Sequence, residues 1–180
     1  GFFWQCHRHC VTSRPLPLRR GYGVTDKNDT KTVALACDHA GLPMKLALLP
    51  VLEQLGLNPL DLGTHSGDSV DYPDFAELMA QALADGRASR GILVCGTGIG
   101  ISIAANRHSH IRAALCHNST DARLSRQHND ANVIALGART MGIEVALESL
   151  TVFLQTDFEG GRHARRVEKM TPTVRMPDVM

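Results

Sequence analysis

The chain has 180 residues, of which 43% are hydrophobic, and a formal net charge of +1. This length allows one compact domain with a core but hardly two, and so small a net charge gives no electrostatic case for a nucleic-acid partner. No apolar run approaches the roughly 20 residues that cross a bilayer, so no membrane association is predicted.

The first 30 residues differ in composition from the rest of the chain. They contain the cluster Cys6-His7-Arg8-His9-Cys10 and several arginines, with no acidic residue before Asp26. Because of this composition, we predict that residues 1–30 are a disordered extension outside the fold. The alternating Cys/His spacing does not match a zinc finger or ribbon. An Arg-rich start without acidic residues also resembles an organellar transit peptide. The cysteines are odd in number and scattered, which favours a reducing cytoplasm; they are Cys6, Cys10, Cys37, Cys95 and Cys116.

From Lys31 onward, short apolar or β-branched runs alternate with helical patterns. This alternation predicts a three-layer α/β sandwich with a five-stranded parallel, Rossmann-like sheet. A flavodoxin-like strand order would place strands one and three side by side. The predicted strands are 32–37, 57–61, 91–95, 111–116 and 132–136, and the predicted helices are 42–55, 74–85, 98–107, 119–127 and 141–155.

Two predicted strands end in residues that carry chemistry. Strand one runs into Cys37-Asp38-His39-Ala40-Gly41, and strand three ends at Cys95. Ligands of open α/β sheets bind beyond the carboxyl ends of the strands, so Asp38, His39 and Cys95 are expected to meet at one small ligand. Taken alone, Asp38 would be interpreted as a helix cap and His39 as a loop residue. The polar loop 62–73 is long enough to line such a site.

Cys95 precedes the small-residue turn Gly96-Thr97-Gly98-Ile99-Gly100, which leads into a predicted helix. Backbone N–H groups at a helix start favour anions and would favour thiolate over thiol at Cys95. Ile101 replaces the residue that a dinucleotide fingerprint, a Walker A loop or a Cys-dependent phosphatase loop requires, and Gly98 excludes a C-x-x-C motif. An isolated cysteine at a strand end is more often a buried core residue, but three glycines suit the close approach of a ligand to the backbone.

Five motifs stand in order along residues 31–170: Cys37-Asp38-His39-Ala40-Gly41, Asp71-Tyr72-Pro73, Cys95-Gly96-Thr97-Gly98-Ile99-Gly100, Ser125-Arg126-Gln127-His128-Asn129-Asp130 and Glu159-Gly160-Gly161-Arg162-His163. Together they resemble the type B ribose-5-phosphate isomerases, which are grouped with the galactose-6-phosphate isomerase subunits. Residues 1–30 and the tail 171–180 lie outside this resemblance. It implies an isomerase of the pentose phosphate pathway that interconverts ribose 5-phosphate and ribulose 5-phosphate through an enediolate, with no cofactor and no metal.

The resemblance also implies roles for individual residues. Cys95 is the base that takes and returns the carbon proton, Thr97 helps to move the proton between the substrate oxygens, and His128 opens the furanose ring. Gly96 to Gly100 form the anion cradle. The implied substrate-binding residues are Asp38, His39, Tyr72, Gly96, Thr97, Gly98, Ile99, Gly100, Asn129, Arg139, Arg162 and Arg166.

His128 and Asn129 precede predicted strand five, so they should lie at the sheet edge opposite Cys95. We therefore expect a homodimer whose subunits share each active site, and the family also allows a dimer of dimers. Arg162 and Arg166 are four residues apart and would share one face if their segment is helical, which would suit a phosphate. The alternative is a basic helix that faces solvent and binds no ligand.

Asp71 and Asp74 are close in sequence and raise the question of a metal. We interpret Asp74 as a helix cap and Tyr72 as a pocket residue. The nine histidines of the chain also show no spacing that would suit a set of metal ligands, so no metal site is predicted.

Three other functions remain open at this stage. The first is an isomerase of another sugar phosphate, such as allose 6-phosphate or galactose 6-phosphate. The second is a non-catalytic phosphosugar sensor. A thiol-redox function would need Cys37 to lie near Cys95 as a resolving thiol, because no cysteine is close to Cys95 in sequence.

Overall fold

The computed structural model describes residues 31–170, so the extension and the tail predicted at 1–30 and 171–180 lie outside the described residues. Strands and helices alternate along this part of the chain. The strands are β1 (Thr32–Cys37), β2 (Asn58–Asp61), β3 (Arg90–Cys95), β4 (Ala113–Leu115) and β5 (Val133–Gly137). The helices are α1 (Leu42–Gln54), α2 (Tyr72–Ala84), α3 (Ile99–Ala105), α4 (Ser119–Asn129), α5 (Ile143–Gln155) and α6 (Ala164–Met170), with a single 3₁₀ turn at Gly161–His163 before α6.

The five strands form one parallel sheet in the order β2-β1-β3-β5-β4. The predicted α/β class and the five-stranded parallel sheet are confirmed, and β1 lies beside β3 as expected. In the register of the sheet, Cys37 pairs with Val94, and Cys95 pairs with Gly137. The ends of β1, β3 and β5 are therefore level with one another.

The strand order differs from a flavodoxin-like order at one edge, because β5 and not β4 borders β3. The residues explain the exchange. Every position of β5 is buried, whereas β4 has three residues that are all partly exposed. A fully apolar strand is stable in the sheet interior, and a short strand is tolerated at an edge. As a result, the turn after β5 flanks the turn after β3.

Each face of the sheet packs its own core, because side chains alternate along a strand. One face buries Leu35, Ile92 and Ile134 against Leu48 of α1 and Leu150 of α5. The other face buries Ala34, Leu93 and Ala135 against Met79 of α2 and Ile101 of α3. Full burial of a side chain such as leucine or isoleucine contributes about 1.5–3 kcal/mol, so these two layers hold the sheet between its helices.

An ion pair with a buried lysine fixes the loop between β2 and α2. Lys45 of α1 is fully buried, and its Nζ lies 2.7 Å from Asp61 Oδ1 and 2.8 Å from the carbonyl oxygen of Thr64. The backbone of Cys37 completes the attachment: its N–H donates to the oxygen of Gly63, and its carbonyl accepts from the N–H of Thr64. The loop is thus held beside the end of β1, where the candidate site lies.

Within residues 31–170, no helix is both long enough and apolar enough to cross a membrane.

Candidate active site

The turn after β3 folds back onto the sulfur of Cys95. The N–H of Gly98 donates to Cys95 Sγ at 3.1 Å. Gly98 has φ +76° and stands at the N-cap of α3, and a Cβ there would lie 2.6 Å from Leu115 Cδ1 and 3.0 Å from the carbonyl carbon of Leu136. Glycine is therefore required both by the left-handed backbone and by the space available. An N–H directed at sulfur is a contact that negative charge on the sulfur strengthens.

Asp38 and His39 stand beside this turn. The Asp38 N–H donates to the carbonyl oxygen of Val94 at 3.1 Å, and its buried carboxylate accepts the N–H of Gly41 at 2.9 Å. A Cβ at Gly41 would lie 2.6 Å from the Val94 oxygen, so this glycine lets the β1–α1 turn approach the end of β3. Asp38 thus makes a local turn contact of the kind that a cap makes, although the N-cap residue of α1 is Gly41.

His39 has a defined hydrogen bond to the loop before α2. Its Nδ1 accepts the N–H of Val70 at 3.2 Å. A ring nitrogen that accepts carries no proton, so the neutral form of His39 has its proton on Nε2. That Nε2–H is a donor suited to an anionic ligand.

Arg139 and Tyr72 border the glycines of the Cys95 turn. The Arg139 N–H donates to the oxygen of Gly96 at 2.8 Å, and a Cβ at Gly96 would lie 3.6 Å from an Arg139 guanidinium nitrogen. A Cβ at Gly100 would lie 2.7 Å from Cζ of Tyr72, so the tyrosine ring packs directly on this glycine. Thr97 is exposed, and its Oγ1 accepts the N–H of Ile99 at 3.3 Å.

The structure therefore brings one group of the predicted residues together at the carboxyl edge of the sheet. We call this group the thiol rim; its members are Asp38, His39, Tyr72, Cys95, Gly96, Thr97, Gly98, Ile99, Gly100 and Arg139.

The remaining predicted residues lie at the amino edge. His128 and Asn129 end α4, just before β5 begins at Val133. Cys95 pairs with Gly137 at the other end of β5, and four steps of about 3.3 Å separate the two strand ends by about 13 Å. His128 thus cannot reach a ligand held against Cys95 of the same chain.

The C-terminal segment also belongs to the amino edge. The Glu159 N–H donates to the oxygen of Gln127 at 3.1 Å, which places this segment beside the end of α4. Arg162 lies in the 3₁₀ turn and Arg166 lies in α6, so the segment is helical, and both side chains are exposed. We call this second group the imidazole rim; its members are His128, Asn129, Arg162, His163 and Arg166.

His163 was not among the predicted site residues, although it ends one of the five motifs. Its ring stacks on that of His128, with centroids 4.3 Å apart and planes 5° apart, and it is buried. Burial lowers the pKa of His163, and the positive charges of His128, Arg162 and Arg166 lower it further, against the opposing effect of Glu159. His163 is therefore neutral at pH 7. Its partner lies on another helix, so sequence spacing could not reveal the pair.

Among residues 31–170, His128, Glu159 and His163 form a group whose potential ligand atoms all lie within 4.8 Å of one another. A metal would have to sit about 2.0–2.1 Å from each imidazole nitrogen, along the nitrogen lone pair and so in the plane of each ring. Two parallel stacked rings do not share such a point. In this arrangement the group does not fit a metal.

Two more thiols, Cys37 and Cys116, are buried among the described residues. Burial raises the pKa of Cys37 to about 11 and that of Cys116 to about 12, so both are neutral thiols at pH 7. Cys37 packs in the core layer of α1 and α5, whereas Cys95 belongs to the layer of α2 and α3. The two sulfurs thus point to opposite faces of the sheet, and Cys37 is not placed to act as a resolving thiol.

A groove of about 470 Å³ lies at the amino edge beside Asn129. Its lining residues include Arg112, Ala113 and Met170, which places it at the opposite end of the strands from Cys95. The chemistry of the thiol rim, rather than the size of this groove, marks the candidate active site.

Known proteins resemble this chain in sequence and in fold. The sequence profile described as Ribose/Galactose Isomerase matches residues 33–170. The chain belongs to this family. The resemblance predicted from the five motifs is therefore confirmed.

Individual relatives are similar over nearly their whole length. Ribose-5-phosphate isomerase B of Escherichia coli is 46% identical over 141 residues, which are 78% of this chain and 95% of the relative. A D-erythrulose-4-phosphate isomerase of Pectobacterium atrosepticum is 44% identical over 77% of this chain and 92% of its own. The solved ribose-5-phosphate isomerase B of Clostridium thermocellum superposes with a TM-score of 0.76 at 48% identity, covering 78% of this chain and 95% of that one.

Proposed function

We propose that this isomerase family member interconverts ribose 5-phosphate and ribulose 5-phosphate in the cytoplasm, as a step of the pentose phosphate pathway. The observation that carries the proposal is the Cys95 sulfur, which the Gly98 N–H contacts at a strand end bordered by Arg139. The names of the similar proteins from Escherichia coli and Clostridium thermocellum support the same reaction.

The chemistry requires one base and a set of N–H donors. Cys95, as thiolate, takes the proton from C2 of the open-chain aldose and becomes a thiol, and the electron pair moves to the carbonyl oxygen to form the enediolate. Thr97 relays a proton between the two substrate oxygens, and Cys95 returns its proton to C1. Backbone N–H groups of the turn from Gly96 to Gly100 face the developing charge, and such fixed donors are often worth about 3 kcal/mol each.

A second copy of the chain completes the proposed site. His39 of the thiol rim is assigned to the phosphate, so the opening of the sugar ring needs a second imidazole. His128 of the same chain lies beyond the other end of β5, and the two ends of that strand are about 13 Å apart. Next to the thiol rim, α3 exposes the apolar side chains of Ile99 (50%) and Ile103 (61%) one turn apart. We infer that this surface packs against a partner copy, which supplies His128 and Asn129; a dimer of dimers is compatible with the same contact.

The proposed phosphate site uses cations from both rims. His39 offers its Nε2–H and Arg139 its guanidinium in the thiol rim. Arg162 and Arg166 would arrive with His128 from the second copy. Guanidinium groups suit this task because they bind phosphate oxygens through two parallel N–H donors.

The test is the rate of ribulose 5-phosphate formation from ribose 5-phosphate, measured with a chelator present. Loss of a proton-transfer group costs about 10²- to 10⁴-fold, so Cys95→Ala should lower kcat by at least about 100-fold. Cys116→Ala is the matched control, since Cys116 is a buried thiol outside the site, and its kcat should be unchanged. Full turnover by Cys95→Ala would remove Cys95 from the mechanism.

A second candidate substrate is a four-carbon sugar phosphate, because the Pectobacterium atrosepticum relative is named for D-erythrulose 4-phosphate. The proton transfer is the same, so a panel of ribose 5-phosphate, erythrose 4-phosphate, allose 6-phosphate and galactose 6-phosphate ranks these substrates by kcat/KM. If none of them turns over while ribose 5-phosphate still binds to Cys95→Ala, the protein is a phosphosugar sensor.

A further inference from the structure

His163 is the buried titratable side chain of the imidazole rim that the proposed reaction does not use. It is 5% exposed, and its ring lies flat against that of His128, with centroids 4.3 Å apart and planes 5° apart. His128 is half-buried, and His163 covers one face of its ring. A ring held in this way has little freedom to rotate about its side-chain bonds.

Backbone and side-chain contacts fix His163 itself. Its N–H donates to the oxygen of Gly160 at 3.0 Å, and Arg162 Nε donates to His163 Nε2 at 3.4 Å. Nε2 is therefore an acceptor, and the proton of the neutral ring is on Nδ1. Glu159 stands 3.8 Å from the same Nε2, beyond hydrogen-bond distance.

The charges around His163 favour its neutral form. The groups that face His163 are His128 from α4, Glu159 from the preceding segment, Arg162 from the 3₁₀ turn and Arg166 from α6. Two imidazolium rings stacked at 4.3 Å would repel each other, whereas a neutral ring beside a protonated one does not. A neutral His163 ring thus adds no positive charge beside His128.

We propose that His163 is a positioning residue that holds the ring plane of His128 for the proton transfer that opens the sugar ring. This inference rests on the proposed function, in which His128 donates that proton. Offset aromatic stacking contributes about 0.5–1.5 kcal/mol, which is enough to select one ring orientation among the few available. Because His163 acts through His128, its loss affects the ring-opening step and not the transfer of the carbon proton at Cys95.

A substrate that has no ring separates these two steps. Erythrose 4-phosphate carries phosphate on its C4 hydroxyl and cannot close a five-membered ring, whereas ribose 5-phosphate closes one through its C4 hydroxyl. We expect His163→Ala to lower kcat for ribose 5-phosphate by about 10-fold, a fraction of what general-acid catalysis contributes, and to change kcat for erythrose 4-phosphate by less than about 2-fold. His163→Phe keeps a flat ring without a titrating nitrogen and should recover most of the lost rate.

The matched control is His108→Ala. His108 is also a partly buried histidine with a carboxylate partner, Glu77 Oε2 at 3.1 Å, but it lies outside both rims. This variant should leave kcat unchanged for both substrates. Equal unfolding midpoints in urea for His163→Phe and the unaltered chain exclude a general loss of structure.

Histidine NMR gives a readout that does not depend on turnover. In the intact chain, the ring current of His163 should shift the His128 ring protons; His163→Ala should remove this shift, and His163→Phe should retain it. The proposal is overturned if His163→Ala lowers kcat by the same factor for both sugar phosphates, or if the His128 signals do not move. If the intact chain converts neither sugar, the proposed function fails, and the NMR shift alone decides whether His163 holds the His128 ring.

Discussion

The thiol rim and the imidazole rim are built in different ways. The thiol rim is mostly backbone: Gly98 and Gly100 each stand where a Cβ would overlap a neighbouring atom, and Cys95 is almost fully buried. The imidazole rim is built from side chains at helix ends, with a stacked histidine pair and exposed arginines. In the proposed reaction, this contrast gives rigid geometry to the transfer of the carbon proton and adaptable charge to the binding of the sugar and its phosphate.

In the proposed reaction, each rim holds half of what is needed. Abstraction of a carbon proton depends on the placement of a base and N–H donors, which packed turns provide. Binding of a phosphate depends on permanent charge, which flexible arginine side chains provide. Because the two ends of β5 are about 13 Å apart within one chain, we propose that the two halves meet between copies.

The largest effect should come from mixing two inactive chains. Cys95→Ala and His128→Ala each lack one half of the reaction, so each alone should lose at least about 100-fold in rate. If sites are shared, random exchange of subunits makes about half of the dimers mixed, and each mixed dimer has one site with both native groups. Activity should therefore return to about a quarter of the native rate, measured with ribose 5-phosphate.

Two controls make the mixing experiment decisive. A chain with both substitutions, mixed with the native chain, gives the same extent of exchange but places the two losses on one subunit. The exchange of subunits is verified by mass spectrometry. If no activity returns after that exchange, each chain uses its own His128, and the two rims do not form one site.

Gly98 tests whether the thiol rim depends on its packed backbone. Gly98→Ala forces a left-handed residue with a Cβ 2.6 Å from Leu115 Cδ1, and left-handed strain of about 1–2 kcal/mol adds to overpacking of about 1–3 kcal/mol. Unfolding in urea should show a loss of about 2–5 kcal/mol in the free energy of unfolding. Gly96→Ala is the control, because its Cβ would have no contact closer than 3.5 Å; equal losses in the two variants would contradict the packing argument.

The sequence pattern predicted the elements of the fold well and their lateral order less well. The predicted strand 32–37 is β1 as observed, and β3 begins one residue before its predicted start. α2 begins at Tyr72 and not at residue 74, because Pro73 fits the first turn of a helix; Asp71 is the N-cap residue, so the interpretation of Asp74 as a cap is wrong. The exchange of β4 and β5 was not predicted, since hydrophobic periodicity says which strands are buried but not which strand borders which.

The candidate site was predictable where residues follow a strand end and less so where side chains meet across elements. The turn of Cys95 and the residues after β1 were predicted to be close because carboxyl ends of parallel strands share an edge. His163 carries no such signal: its stacking partner His128 belongs to another helix, and only the folded chain brings the two rings together. Arg139 was predicted from the family resemblance alone, and its approach to the Cys95 turn depends on the unpredicted placement of β5 beside β3.

The exposed arginines give a smaller, substrate-dependent effect. Arg162→Ala removes a charge-assisted contact worth about 1.5–3 kcal/mol, so the KM for ribose 5-phosphate should rise by about 10- to 100-fold. The KM for free ribose should hardly change. Arg165→Ala removes a neighbouring exposed arginine outside the imidazole rim and is the control. A rise of the same size for the free sugar would count against phosphate binding by Arg162.

The smallest effect concerns Cys116, a buried thiol after β4 that lies outside the thiol rim. Burial raises its pKa from 9.0 to about 12, so the folded chain keeps the proton while the unfolded chain releases it above pH 9. The stabilisation is therefore complete below pH 9 and is lost as pH rises towards 12. Between pH 8 and pH 10.5, the free energy of unfolding of the native chain should fall by on the order of 1 kcal/mol more than that of Cys116→Ala. Urea unfolding at the two pH values measures this difference. Parallel pH profiles for the two chains would mean that Cys116 ionises as readily in the fold as in the unfolded chain, and that its burial does not hold the proton.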